Sequence, residues 1–176
     1  FDVDFNRFVE YHQEKGGIAT LFTHPNDHPY DSGLIFADGN NAVVKWLAKE
    51  DSRSQWYRNR VNAGLHVINP ELLNNKIDTV KIDLDRQLLK PLAGTGKMFC
   101  YDSPEYVKDM GTPERYHQVV KDIRCGLVSA KYLKYKQKAV FLDRDGTINR
   151  YIGFLKDIDE FELLPGVSEA VRNINR

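Results

Sequence analysis

Cysteine is nearly absent from this sequence. Cys100 and Cys125 are the only two among 176 residues, and they stand far apart. That excludes a disulfide framework and the closely spaced pairs of a zinc site. Two free thiols fit a reducing cytoplasm. Net charge is missing too: Lys and Arg number 25, Asp and Glu 25. No segment carries the basic stripe that a nucleic-acid or membrane surface requires. No apolar run approaches the ~20 residues of a membrane helix, and no signal peptide is visible. Repeats and low-complexity tracts are lacking. What remains is 41% apolar and 28% charged, the balance of a globular protein with room for one ordinary domain or two small ones.

Apolar periodicity supplies the elements. "DFNRFVEYHQEKGG" spaces Phe5, Phe8, Val9 and Tyr11 as a helix and stops at Gly16-Gly17. "IATLFTH" follows as a strand, in a β-α-β style of opening. "GLIFAD" and "AVVKWLA" flank a polar "GNN" and read as a hairpin. "EDSRSQWYRNR" is a polar connector, "VNAGLHVI" a strand, and "NPELLNN" a short helix with Pro at its start. "IDLDRQLLKPLAGTG" reads as a helix and "KMFCYDS" as a strand. "GTPERYHQVVKDIRCG" carries a Thr cap, Pro at the first helical position and Glu in the first turn. His24 and His28 share a proline-broken loop that denies them helical pairing. Trp46, Trp56 and the tyrosines read as packing, since no basic stripe accompanies them.

The stretch "KAVFLDRDGTIN", residues 138–149, is an apolar run ending in two carboxylates and a glycine. It reads as a buried strand that delivers Asp143 and Asp145 to its exposed end. A carboxylate there can attack phosphorus and form an acyl phosphate, the role for Asp143. Asp145 can protonate a departing alkoxide and then deprotonate water. Gly146 lets the backbone approach a phosphate. Magnesium held by Asp143 and a nearby carbonyl, with Asp145 as a further candidate ligand, would offset the charge repulsion. The bland alternative is a surface Asp-Gly turn.

Two resemblances meet in this chain. "FLDRDGTIN…FELLPGVSEAVRNI", over residues 138–176, resembles the start of a haloacid dehalogenase-type phosphatase. More narrowly, it is similar to the branch of heptose 1,7-bisphosphate 7-phosphatases and histidinol-phosphate phosphatases. The resemblance implies Asp143 as nucleophile and Asp145 as acid and base. That family's later phosphate-binding, metal-binding and zinc-loop parts are not in the sequence. "NRVNAGLHVINPELL" and "SPEYVKDMGTPERY" resemble the sugar-1-phosphate nucleotidyltransferases. Their Gly-rich triphosphate loop is expected before Phe1. The implied architecture is α/β: the C-terminal half of a Rossmann-like nucleotidyltransferase domain over 1–126, a linker over 127–137, and the first βα unit of a Rossmann-like phosphatase domain over 138–176.

On the transferase side Asp109 in "KDMGT" is the candidate metal ligand, beside a turn at a helix N-terminus. Asn62 in "NAGL" can donate to and accept from sugar hydroxyls, and Gly64 lets a sugar ring approach the backbone. Lys49 sits where the family has Glu-Lys-Pro, with Ala48 and Glu50 as departures. It reads equally as a sugar-phosphate contact or an exposed strand lysine. Gly33 is expected at the floor of the sugar site. The resemblances imply a cytoplasmic, magnesium-dependent enzyme of sugar-nucleotide synthesis, with nucleoside triphosphate and sugar phosphates as its partners. The implied product is GDP-D-glycero-α-D-manno-heptose. Mannose or glucose as the sugar, and a non-catalytic regulatory subunit, stay open.

Overall fold

A computed structural model describes residues 1–176 apart from 27–28, 55–56, 74–80, 137 and 175–176. His28 and Trp56 therefore lie outside the described residues. The chain divides into two compact units, Phe1–Lys134 and Tyr135–Arg176.

The first unit is built on a five-stranded sheet. Helix α1 (Phe5–Lys15) begins where the Asp4 side chain accepts the Arg7 N–H. It ends at Gly16, whose left-handed φ of 63° lets its N–H reach the His12 carbonyl. Strand β1 (Ala19–His24) is buried almost throughout. Strands β2 (Leu34–Ala37) and β3 (Val43–Leu47) form the expected hairpin, and β4 (Val61–Ile68) matches "VNAGLHVI". Strand β5 (Met98–Asp102) completes the order β3-β2-β4-β1-β5. Strand β1 lies parallel to β5 and antiparallel to β4. Helix α2 (Pro113–Arg124) starts at the Thr112 cap with Pro113 in its first turn, and the short α3 (Leu127–Ala130) follows.

Alternation along the strands loads both faces of the sheet. Ala19, Leu21, Ile35, Met98 and Leu89 pack on one face; Phe22, Tyr101, Val3 and Phe8 of α1 pack on the other. Phe8 meets Phe22 edge to face with ring centroids 5.5 Å apart. Cys100 is buried and unpaired, and burial pushes its thiol up to about 12, so it stays protonated at neutral pH.

Three expected elements differ. The stretch "IDLDRQLLKPLAGTG" forms a π-helical turn at Leu84–Leu89, followed by a 3-10 turn at Lys90–Leu92, not a full α-helix. Pro91 has no N–H to continue a helical ladder. Of "NPELLNN", the described residues form a 3-10 turn at Pro70–Leu72, and its last two asparagines lie outside the described residues. Ahead of α1 the chain gives one antiparallel bridge, Asp2 to Tyr106, where a β-α-β opening was expected.

Beside β1, strand β4 carries a bulge. Pairing steps from Leu21 with His66 to Thr23 with Asn62, so β4 spends four residues where β1 spends two. Gly64 lies inside it at φ 72°, with open space where a Cβ would stand. Gly64→Ala is therefore expected to cost ~1 kcal/mol from backbone strain alone, read as a lowered melting temperature. An unchanged melt would mean that β4 pairs without the bulge.

The second unit contains a 3-10 turn at Ile158–Glu160 and helix α4 (Val167–Ile174). The expected buried strand at 138–142 is not formed. Val140 and Phe141 are 58% and 95% exposed, and Leu142 is exposed as well. A strand needs a neighbour to take its N–H and C=O groups. Among the described residues of this unit there are only isolated bridges, Asp145 to Asn149 and Asn149 to Leu163.

Candidate functional site

A cleft of about 510 Å³ opens at the edge of the first unit. Its walls bring together residues far apart in sequence: His24 from β1, Asn62 and Ala63 from β4, the Glu105–Asp109 loop after β5, and Arg115 and Asp122 from α2.

The loop after β5 is held from below. Glu105 is buried, yet its carboxylate takes the Asp4 N–H at 2.8 Å, the Leu133 N–H at 3.2 Å and the Ser103 hydroxyl at 2.9 Å. Tyr106 donates its hydroxyl to Asp122 of α2 at 2.6 Å. Burial pushes the Tyr106 hydroxyl up, and the Asp122 carboxylate adds to the effect. These buried bonds fix the backbone that leads to Asp109.

Asp109 accepts the Gly111 N–H at 2.9 Å and is paired with the Arg115 guanidinium from the first turn of α2. Its side chain is 65% exposed. A carboxylate has about four lone-pair sites, and two are used here. Magnesium takes one or two protein carboxylates and completes its shell with phosphate and water. Asp109 fits that demand as a single ligand.

Asn62 and Asp109 thus line one cleft. Gly33 is adjacent, since its carbonyl accepts the Asn62 backbone N–H at 3.4 Å. Its own α-carbon leaves little room for a side chain: a Cβ would lie 3.0 Å from the Trp46 ring nitrogen, which would have to shift by a few tenths of an ångström. Gly64 donates its backbone N–H to the Asn62 side-chain oxygen at 3.2 Å. Lys49 is elsewhere, exposed in the turn after β3 and not among the cleft residues.

Sequence reasoning passed over Arg115, Tyr106, Glu105 and Asp122. Arg115 carried a signal, three residues after the Thr112 cap and so on the first turn of α2. Glu105 carried none, because a carboxylate amid "DSPEYV" reads as exposed loop.

In the second unit Asp143 takes the Arg144 N–H at 2.8 Å. Asp145 receives the Arg144 guanidinium as a fork at 2.9 and 2.8 Å, and the Asn149 amide at 3.1 Å. The Arg144 hydrogen bond first, then Asn149, holds the Asp145 carboxyl below its usual range. Among the described residues no three His, Cys, Asp or Glu side chains gather as a metal centre. In this arrangement the Arg144 fork and the Asn149 amide occupy the Asp145 carboxylate.

The sheet and its helices form an α/β unit that matches part of a Rossmann-like nucleotidyltransferase fold. The structure overlays HddC from Yersinia pseudotuberculosis with a TM-score of 0.53 at 16% identity, over 68% of this chain and 49% of that one. A second structure of HddC, complexed with GMP-PN, overlays with the same score. In sequence, the chain is 34% identical over 133 residues to a mannose-1-phosphate guanyltransferase of Sulfolobus acidocaldarius, which spans 76% of this chain and 34% of that protein. It is 26% identical over 117 residues to the mannose-1-phosphate guanyltransferase of Kluyveromyces lactis, over 65% of this chain and 31% of that protein. The chain spans about a third of the length of these curated relatives. No family model matches. No helix among the described residues is long and apolar enough to cross a membrane.

Proposed function

We propose that this chain supplies the sugar-phosphate side of a nucleotidyltransferase. The reaction joins a nucleoside triphosphate, GTP by similarity, to a sugar 1-phosphate. A phosphate oxygen of the sugar attacks the α-phosphorus, a P–O bond forms, and the bond to pyrophosphate breaks. Asn62 would hold the sugar and Asp109 would take part in holding magnesium, which lowers the charge barrier between two phosphates. The observation that carries this reading is the meeting of Asn62 and Asp109, 47 positions apart by number (109 less 62), on one cleft. The test is pyrophosphate release by the intact protein, over a panel of sugar 1-phosphates and nucleoside triphosphates. Release with a hexose or heptose 1-phosphate is expected. No release with any pair would point to the regulatory alternative.

Residues 138–176 favour a second activity, hydrolysis of a sugar phosphate, through the Asp143-Arg144-Asp145-Gly146-Thr147 pattern. That pairing of activities supports heptose as the sugar. Before Asp145 can donate a proton, the Arg144 fork must open. In the intact protein, Asp143→Asn is expected to abolish phosphate release and to spare pyrophosphate release, because the isostere loses the nucleophile's charge. Loss of both products would contradict two separate sites.

A further inference from the structure

Asn62 is gripped by three partners that do not line the cleft. Its side-chain oxygen accepts the Gly64 N–H at 3.2 Å and the His66 ring Nε2–H at 3.0 Å. Its side-chain nitrogen donates to the Asp85 carboxylate at 3.2 Å. Asp85 comes from the π-helical turn at Leu84–Leu89, where the Lys90 N–H reaches five residues back to the Asp85 carbonyl. Asn62, Gly64 and His66 share one face of β4, with Gly64 in the bulge. Two local irregularities, a bulge and a π turn, thus converge on one carboxamide.

Gly64 and Asp85 demand the same orientation, and His66 joins it as the tautomer that carries its proton on Nε2. A flipped amide would set its oxygen against the Asp85 carboxylate and its NH₂ against the Gly64 N–H. Both contacts are repulsive. The held orientation uses both lone pairs of the oxygen and one of the two N–H bonds. One N–H remains without a partner among the described residues. We infer that His66 and Asp85 are positioning residues that turn Asn62 into a pure hydrogen-bond donor, so that it recognises an acceptor oxygen of the sugar 1-phosphate. The inference rests on the transferase reading for the identity of the ligand. It also narrows the expectation that Asn62 both donates and accepts. Burial lowers the His66 pKa, with the Asp85 charge opposing, which favours the neutral ring. The His66 side chain is only 8% exposed.

The experiment is steady-state kinetics on the intact protein, varying sugar 1-phosphate at saturating nucleoside triphosphate. His66→Leu frees one lone pair of Asn62 and is expected to raise the sugar KM about tenfold, the worth of one lost hydrogen bond. The nucleotide KM should not move. His66→Gln keeps a donor at the same reach and should restore the sugar KM. Asp85→Asn, which can offer either an oxygen or an amide, should also raise it. A sugar KM unchanged in both His66→Leu and Asp85→Asn overturns the inference, as does a Gln variant no better than Leu at equal melting temperature. A wild type that turns over no sugar 1-phosphate overturns the transferase reading instead. Nuclear magnetic resonance then decides the positioning claim. One Asn62 side-chain proton exchanging slowly in wild type and quickly in Asp85→Asn supports it; equal exchange of both protons in wild type overturns it.

Discussion

Asp102→Ala is expected to lower the stability of the protein by about 3 kcal/mol, a fall of roughly 6–12 °C in melting temperature for a chain of this size. Asp102 ends β5 and is, among the described residues, the only acidic partner of Arg60, which is 3% exposed. The Arg60 Nε donates to it at 2.9 Å, and its NH2 reaches the same oxygen. The Thr23 hydroxyl of β1 donates to the other oxygen. Alanine would leave a buried guanidinium without its counter-charge. That is the costly way to break a pair, although the aspartate's partial exposure keeps the figure at the low end. Arg58 also pairs with Asp102, at 2.9 Å, but it is 71% exposed. Arg58→Ala should therefore cost no more than about 1 kcal/mol. Thermal melts of the two variants test the contrast. Equal losses would mean that burial of Arg60 is not what makes the pair matter.

Asp109→Ala is expected to slow nucleotidyl transfer by the intact protein at least ~100-fold, with the fold retained. The carboxylate stands on the surface of the cleft, so its removal opens no cavity. Only the Arg115 pair and the Gly111 turn bond are lost from the local structure. Exposed contacts of that kind are worth little to stability. The cost falls on charge stabilisation as two phosphates meet. Magnesium titration of the variant measures it: the rate should stay low at saturating metal. A wild-type rate at low magnesium would make Asp109 a loop residue that merely anchors Arg115.

The legibility of this chain follows physical lines. Strand β4 was readable to the residue because apolar Val61, Ala63, Leu65 and Val67 alternate with Asn62, Gly64 and His66, and Ala63, Leu65 and Val67 pack on the Phe8–Phe22 cluster. Helix α2 was readable because Thr112, Pro113 and Glu114 each favour a helix start for a separate reason. The Leu84–Leu89 turn was not. Its apolar spacing suits an α-helix as well as a π turn, and only the contacts of Asp85 distinguish them. Nor was the buried role of Arg60, which sits in a run of polar residues and finds Asp102 only through the sheet. The strand expected at 138–142 had the right composition, yet composition cannot supply the neighbour that a strand pairs with. Asn62 and Asp109 were singled out by their motifs, and the fold brings both to one cleft. The groups that aim and brace them, His66, Asp85, Arg115 and Tyr106, are fixed by tertiary contacts that no local pattern encodes.

The proposed function places a sugar 1-phosphate in the cleft between β4 and the loop before α2. Titrating the intact, isotope-labelled protein with sugar 1-phosphates while following backbone and side-chain amide resonances tests this most directly. Saturable shifts are expected at Asn62, Tyr106, Asp109 and Arg115, and none at Lys49. Saturable shifts centred elsewhere, or no shift at these four residues with any sugar 1-phosphate, would contradict it.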